Sequence, residues 1–238
     1  MNRISIRTAV GIALLVSVLA WPYGSAWAQP SSAPPLPPTP GLVPPGQSGS
    51  EVEGTIAQYL MNPHGEVDGL LLSNGIQVHF PPHMEKSLVA VAKPQDVVRA
   101  EGYRSVEGPV MHAYVITNTT TGQSIIEREP SLLDRPILPP HIRDRSLVER
   151  HAEGVVRNLL YGPRGELNGA VLEDRTIVRV PPHATYHVAR FLQIGQSISA
   201  VGYGTENAYG RAIEATALGA SGSSMLSLDD PDPRGFRR

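Results

Sequence analysis

Histidines are the residues of this chain whose type and spacing best suit chemistry, because a neutral imidazole is a common metal ligand. His83 and His183 each end a Pro-Pro-His segment, one hundred positions apart. His79 and His112 are further candidate ligands in the first half, and His187 lies one helical turn after His183. These five histidines make a metal site one hypothesis. The alternative is a structural corner, in which each Pro-Pro-His imidazole bonds the backbone or solvent.

The two halves do not share the same candidate ligands. The matched positions hold different residue types, which are His79 against Arg179, His112 against Ala212, and Ser87 against His187. A metal site older than a duplication should keep its ligands in both copies. The differences therefore favour the structural corner over the metal site.

Motifs for catalysis are missing from the sequence. It contains no cysteine and no Gly-x-Ser-x-Gly, His-Glu-x-x-His or phosphate-loop motif. We therefore expect a protein that is not an enzyme and that uses no cofactor.

The elements that position these residues follow from an internal repeat. The two copies align without a gap from Glu53 to Tyr103 at a spacing of one hundred residues. Similarity at a fixed period is typical of duplicated structural units, and a unit of about 75 residues is suited to a small closed domain. Alternating apolar residues predict strands, the two prolines end the third strand, and apolar residues at helical spacing follow them. For the first copy we predict strands at about 54–61, 67–72, 76–80, 98–103 and 110–118, with a helix at about 84–91.

This order of elements resembles the OB-fold, a five-stranded Greek-key barrel with a helix between its third and fourth strands. It is also similar to small OB-like domains of secreted bacterial proteins. The predicted fold class is mainly β, with two tandem OB-like five-stranded barrels, each with one helix between strands 3 and 4. An SH3-like or other small barrel is the alternative.

The resemblance implies a place for ligand contact. An OB barrel binds its ligands on its second and third strands and on the loops beside them. We therefore expect ligand contact on outward third strands, through Gln77 and His79 in the first copy and Arg179 in the second. Tyr103 and Tyr203, on the fourth strands, complete the predicted ligand-binding residues.

Charge and aromatic content disfavour nucleic acid as the ligand. Without Arg3 and Arg7 the chain has 18 basic and 22 acidic residues, whereas a binder of polyanions normally has a basic excess. Both tryptophans, Trp21 and Trp27, lie within the segment 1–28. The remainder therefore has no tryptophan on which a base or a sugar ring could stack.

The N-terminal segment 1–28 has the layout of a secretory signal. Arg3 and Arg7 precede an apolar run at 8–21, and Ala26 and Ala28 are the small residues of a cleavage site. The run has 14 residues, fewer than the about 20 that a membrane span needs. We expect cleavage, no transmembrane segment afterwards, and a periplasmic or secreted protein. An uncleaved anchor is the alternative.

The predicted organisation has six parts. A segment with eight prolines and no charge follows the signal and cannot bury apolar surface. The parts are a signal peptide at 1–28, a Pro-rich disordered linker at 29–50, OB-like domain 1 at 51–125, an inter-domain linker at 126–150, OB-like domain 2 at 151–225 and a disordered tail at 226–238.

Together these features predict an exported, non-catalytic binding or scaffolding protein of the cell envelope. Its partner would be a protein or another envelope ligand. A periplasmic metal-handling protein that uses the histidines of domain 1 is the first alternative, and single-stranded nucleic-acid or oligosaccharide binding is the second.

Overall fold

The first copy forms a β-barrel whose strands end where turn residues and prolines occur. Asn74 accepts a hydrogen bond from the Ile76 amide at 3.1 Å and so shapes the turn between the second and third strands. The elements are β1 Ser50–Met61, β2 Val67–Leu72, β3 Gln77–His79, a 3-10 turn Pro82–Met84, α1 Glu85–Val91, β4 Val97–Arg104, β5 Val110–Asn118 and β6 Ser124–Ile126.

The second copy repeats these elements. They are β7 Val148–Tyr161, β8 Leu167–Leu172, β9 Ile177–Arg179, α2 Thr185–Val188, β10 Ser197–Asn207, β11 Gly210–Gly219 and β12 Met225–Ser227. This computed structural model describes residues 49–131 and 147–228, which fall within one compact unit. The predicted signal, the Pro-rich segment, most of the inter-domain linker and most of the tail lie outside the described residues.

Strand pairing closes each barrel. The first sheet runs β3-β2-β1-β4-β5-β6, and a parallel pairing of β3 with β5 completes the ring. The second sheet has the matching order, with β9 parallel to β11. Both barrels therefore resemble the OB-fold, and the predicted fold class is confirmed.

Each barrel also has a short sixth strand that the sequence did not predict. β6 pairs with β5 and β12 pairs with β11. Residues 226–228, which we expected in the tail, thus belong to the second barrel, where Leu228 is buried.

The Pro-Pro-His histidines hold the chain that follows these sixth strands. His83 Nε2 lies 2.8 Å from the carbonyl oxygen of Arg128, and His183 Nε2 lies 3.0 Å from that of Leu228. A carbonyl can only accept, so each Nε2 carries a proton and donates. Both imidazoles thus bond the backbone, as the structural-corner interpretation expects.

The buried apolar residues form two clusters, and the clusters are not wholly separate. One consists of residues of the second barrel alone. The other contains the core of the first barrel together with four residues of the second barrel: Leu160, Val171, Ile177 and Ala212. The two halves therefore bury apolar surface against each other as well as in their own interiors. Within the described residues, no helix is both long and apolar enough to cross a membrane.

Candidate binding site at the junction of the barrels

The barrels meet through the outer faces of their first three strands. Leu160 on β7, Val171 on β8 and Ile177 on β9 are buried against the first barrel. On β3 of the first barrel, the Gln77 side chain crosses the junction. Its Nε2 donates to the Leu159 carbonyl at 2.7 Å, and its Oε1 accepts from the Tyr161 amide at 3.0 Å.

The last residues of the two third strands make equivalent contacts. His79 Nε2 donates to the carbonyl of Tyr161 at 3.2 Å, and Arg179 Nε donates to the carbonyl of Met61 at 2.9 Å. The four residues are related by the same spacing of one hundred positions. The junction is thus approximately two-fold, and each barrel presents the same strands to the other.

Arg179 also forms a buried ion pair with Asp68 of the first barrel. Its Nη2 lies 2.9 Å and 2.8 Å from the two carboxylate oxygens. The side chains are 13% and 15% exposed. Burial raises the pKa of the Asp68 carboxyl, and the Arg179 guanidinium opposes that rise.

Loops extend the junction on both sides. Ser105, after β4, donates through Oγ to the carbonyl of Arg164 in the β7–β8 loop at 2.7 Å. Asn207, at the end of β10, donates through Nδ2 to the carbonyl of Gly65 in the β1–β2 loop at 2.8 Å. The loop after the first strand of each barrel therefore packs on the hairpin between the fourth and fifth strands of the other.

The third strands do not face outward, and that part of the sequence prediction is wrong. Gln77 is 1% exposed and His79 is 8% exposed. Together with Arg179 they make hydrogen bonds between the barrels rather than facing solvent. Burial, His112 and Arg179 lower the pKa of His79 to about 4, so its ring is neutral near pH 7.

Tyr103 lies in an open groove beside the junction. Its ring stacks on His112 with centroids 4.8 Å apart, and His112 stacks on His79 at 5.8 Å. His112 Nε2 donates to the Pro163 carbonyl of the second barrel at 2.6 Å. Three stacked rings thus run from the open groove into the junction.

We call this feature the Tyr103 groove, meaning two adjoining cavities that share Tyr103 and Pro163. Their volumes are about 300 Å³ and about 510 Å³. Burial and the nearby Glu127 raise the pKa of Tyr103, so its hydroxyl stays protonated near pH 7. The lining also includes Pro81, Pro82, Arg104, Val106, Glu107, Arg164 and Glu166.

Tyr203, the matched residue of the second barrel, lies elsewhere. It is 47% exposed and pairs with Glu149 and Glu214 of the neighbouring strands. In the strand register, Arg179 and Glu214 take the places of His79 and His112, so no ring stack forms beside Tyr203. The sequence match of His112 with Ala212 is therefore wrong, because the spacing of one hundred does not hold on the fifth strand. The ligand-binding role of Tyr203 stays a prediction.

The structure does not bring the five candidate metal ligands together. His83 and His183 bond carbonyls at different corners, and His187 lies in α2 beside Tyr186. His79 and His112 stack, and each uses Nε2 to bond a carbonyl. Within residues 49–131 and 147–228 no three histidine or acidic side chains are grouped to hold a metal ion.

A second open cavity, of about 540 Å³, lies on the other side of the junction. Tyr59 of the first barrel packs edge-to-face on Tyr209 of the second, with ring centroids 5.6 Å apart. Burial raises the pKa of Tyr59 to about 12, and its hydroxyl donates to the Ala92 carbonyl at 2.9 Å. The Tyr59 hydroxyl already makes a hydrogen bond within its own barrel, and we assign this cavity no ligand.

Comparisons with known proteins add little to what the strand order shows about the fold. No protein-family model matches the chain, and no curated protein matches it significantly. Among solved structures, a deletion mutant of the single-stranded DNA binding protein from Thermus aquaticus is similar at 14% sequence identity, with 78% of this chain and 97% of that chain covered and a TM-score of 0.23. A TM-score this low supports no argument about the fold or ligand of this chain.

Proposed function

We propose that this chain is an exported, non-catalytic binding or scaffolding protein of the cell envelope, and that it engages a protein partner through the Tyr103 groove. In each barrel, the outer faces of the first three strands pack against the other barrel. The Tyr103 groove is left open beside that junction. This observation carries the proposal, because it leaves an accessible aromatic surface on a body whose two halves are fixed together.

The lining of the groove suits an extended peptide. The ring of Tyr103 and the rings of the lining prolines offer flat apolar surfaces, on which aromatic and proline side chains pack well. Val106 is fully exposed at one end. The lining includes two arginines and two glutamates, so the groove offers both signs of charge to a partner: Arg104, Arg164, Glu107 and Glu166.

Single-stranded nucleic acid is less well supported. An OB barrel offers it the second and third strands, and here those strands are covered in both copies. The groove also lacks the excess of positive charge that a polyanion binder needs. Export remains part of the proposal on the strength of the segment 1–28 alone.

Site-specific photo-crosslinking in the cells that naturally make the protein tests this function. A benzophenone amino acid replaces Tyr103 in one protein and Tyr186 in the control, because Tyr186 is 89% exposed on α2 and outside the groove. We expect a discrete crosslinked envelope protein from position 103 and none from position 186. Mass spectrometry of the same sample should find the mature chain beginning at Gln29.

Two results would contradict the proposal. Equal crosslinking from both positions would show that the groove has no special role. A protein recovered from the cytoplasm with the segment 1–28 intact would contradict export.

A further inference from the structure

A different cleft at the junction gathers cationic and amide side chains. It has a volume of about 370 Å³, and its polar lining includes Arg157, Arg175, Gln58, Gln95 and Asn158. The two arginines are its charged residues, and no carboxylate among the described residues lines it. The cleft is therefore positive although the chain as a whole is slightly acidic.

Two of these residues hold an unfavourable backbone conformation. Gln95 has φ 79° and Arg175 has φ 72°, and in the described part of the chain they are the residues other than glycine with positive φ. The matched residues of the other copies are Gly195 and Gly75, with φ 86° and 85°. A side chain is strained where glycine is not, so these two positions keep long polar side chains at a cost in backbone strain.

A third lining residue shows the same asymmetry between the halves. Arg157 on β7 is matched by Ala57 on β1. At all three positions the long polar member of the pair lines this cleft, and Ala57, the match of Arg157, lines it as well. Random substitutions at the surface would not be expected to fall together in one cleft.

Neither guanidinium is neutralised by a neighbour. The ion pairs of the described residues include neither Arg157 nor Arg175. Asp174 and Glu206 line the adjoining cavity together with Arg175, but neither forms an ion pair with it. Asp174 accepts from the amide and hydroxyl of Thr176 at 2.9 Å and 2.8 Å, and Glu206 pairs with Arg150 at 2.9 Å. Gln58 donates weakly to the Arg175 carbonyl at 3.4 Å, which leaves the guanidinium of that residue available.

We infer that this cleft binds a dianionic oxyanion, such as a phosphate group or a dicarboxylate. Two arginines supply matching positive charge, and a guanidinium donates in a fork that fits either anion. The amides of Gln95 and Asn158 add neutral donors at the rim. The inference does not depend on the Tyr103 groove or on its partner.

Titration of the whole protein followed by NMR tests the site. Inorganic phosphate, phenyl phosphate and succinate are added separately at constant ionic strength, and backbone amide shifts are recorded. We expect at least one of these anions to shift the amides of Gln95 and Arg175, with a dissociation constant on the order of 1 mM. The anion that binds most tightly identifies the ligand class as phosphate, phosphate ester or dicarboxylate.

Variants decide whether the cleft is responsible. R175G restores the glycine of the other copy, so we expect at least about tenfold weaker binding together with a melting temperature about 3 °C higher. R157A should weaken binding similarly, and K86A, which removes an equal charge from α1, should leave it unchanged. Binding by R175G and R157A equal to that of the wild type, or no shift with any of the three anions, would overturn the inference.

Discussion

The R179M variant should be less stable than the wild type by about 4 kcal/mol at pH 8. Arg179 lies across the junction from Asp68 and binds both of its carboxylate oxygens. Methionine fills a similar volume but leaves Asp68 as a buried charge without a partner. Urea unfolding followed by circular dichroism measures the difference in the free energy of unfolding.

The loss in R179M should shrink as the pH falls. Without Arg179, burial raises the pKa of Asp68 further above its unfolded value, so the folded state binds a proton more readily than the unfolded state. Stability is then gained toward acid pH and lost as the pH rises through that raised pKa. We therefore expect a smaller difference from the wild type at pH 5 than at pH 8.

The D68N/R179M double variant is the matched control. Asparagine already stands at the matched position of the second copy, as Asn168. Removing both charges avoids the unpaired carboxylate, so the double variant should recover at least about half of the loss. A loss below about 1 kcal/mol in R179M at pH 8 would contradict the buried pair.

The second large effect is expected at Gly165, in the β7–β8 loop. Its φ is +89°, and a Cβ there would overlap the carbonyl group of Glu107 in the first barrel. Main-chain atoms cannot move aside as a flexible side chain can. G165A should therefore lower the free energy of unfolding by about 4 kcal/mol, from left-handed strain and from overlap at the junction together.

Gly75 supplies the control for that strain. Its φ is +85°, and a Cβ there would meet nothing within 4 Å. G75A should lower the stability by only about 1 kcal/mol, because it adds strain without overlap. Equal losses in G165A and G75A, measured by urea unfolding, would mean that the β7–β8 loop does not touch the first barrel.

The repeat made most of the fold predictable. A strand signal that is weak in one copy can be checked one hundred positions away, as with Val67–Leu72 and Leu167–Leu172. Prolines then fixed the end of each third strand, since they cannot donate to a ladder. The sixth strands were missed because each is short and its apolar residues are adjacent, as at Ile125 and Ile126. The third strand is equally short, but Ile76, Val78 and Phe80 alternate along it and beside it.

The junction was not predicted, although a signal for it was present. Alternation places Gln77 and His79 on the outer face of β3, but it cannot tell solvent from the surface of a second barrel. Leu70, Leu71 and Leu72 are consecutive and all buried. An unbroken apolar run of this kind indicates a strand covered on both faces, so the run could have revealed the covered outer face.

The candidate site was predictable only in part. Tyr103 does line an open groove, which its position on β4 suggested. Nothing in the sequence marked Arg175 and Gln95 as candidate site residues, because they were identified by their positive φ and by a cleft that both barrels form. Such features appear only when the two copies are placed together.

Amide hydrogen exchange at Tyr161 tests the central claim, which is that the two barrels form one body through their first three strands. β7 pairs with β10 only over residues 148–155, so the Tyr161 amide lies beyond that pairing. It donates to the side chain of Gln77 in the other barrel at 3.0 Å. NMR of the wild-type protein should show this amide exchanging at least about a thousandfold more slowly than a free amide. Exchange near the free rate, with the neighbouring β7 amides still protected, would contradict the claim.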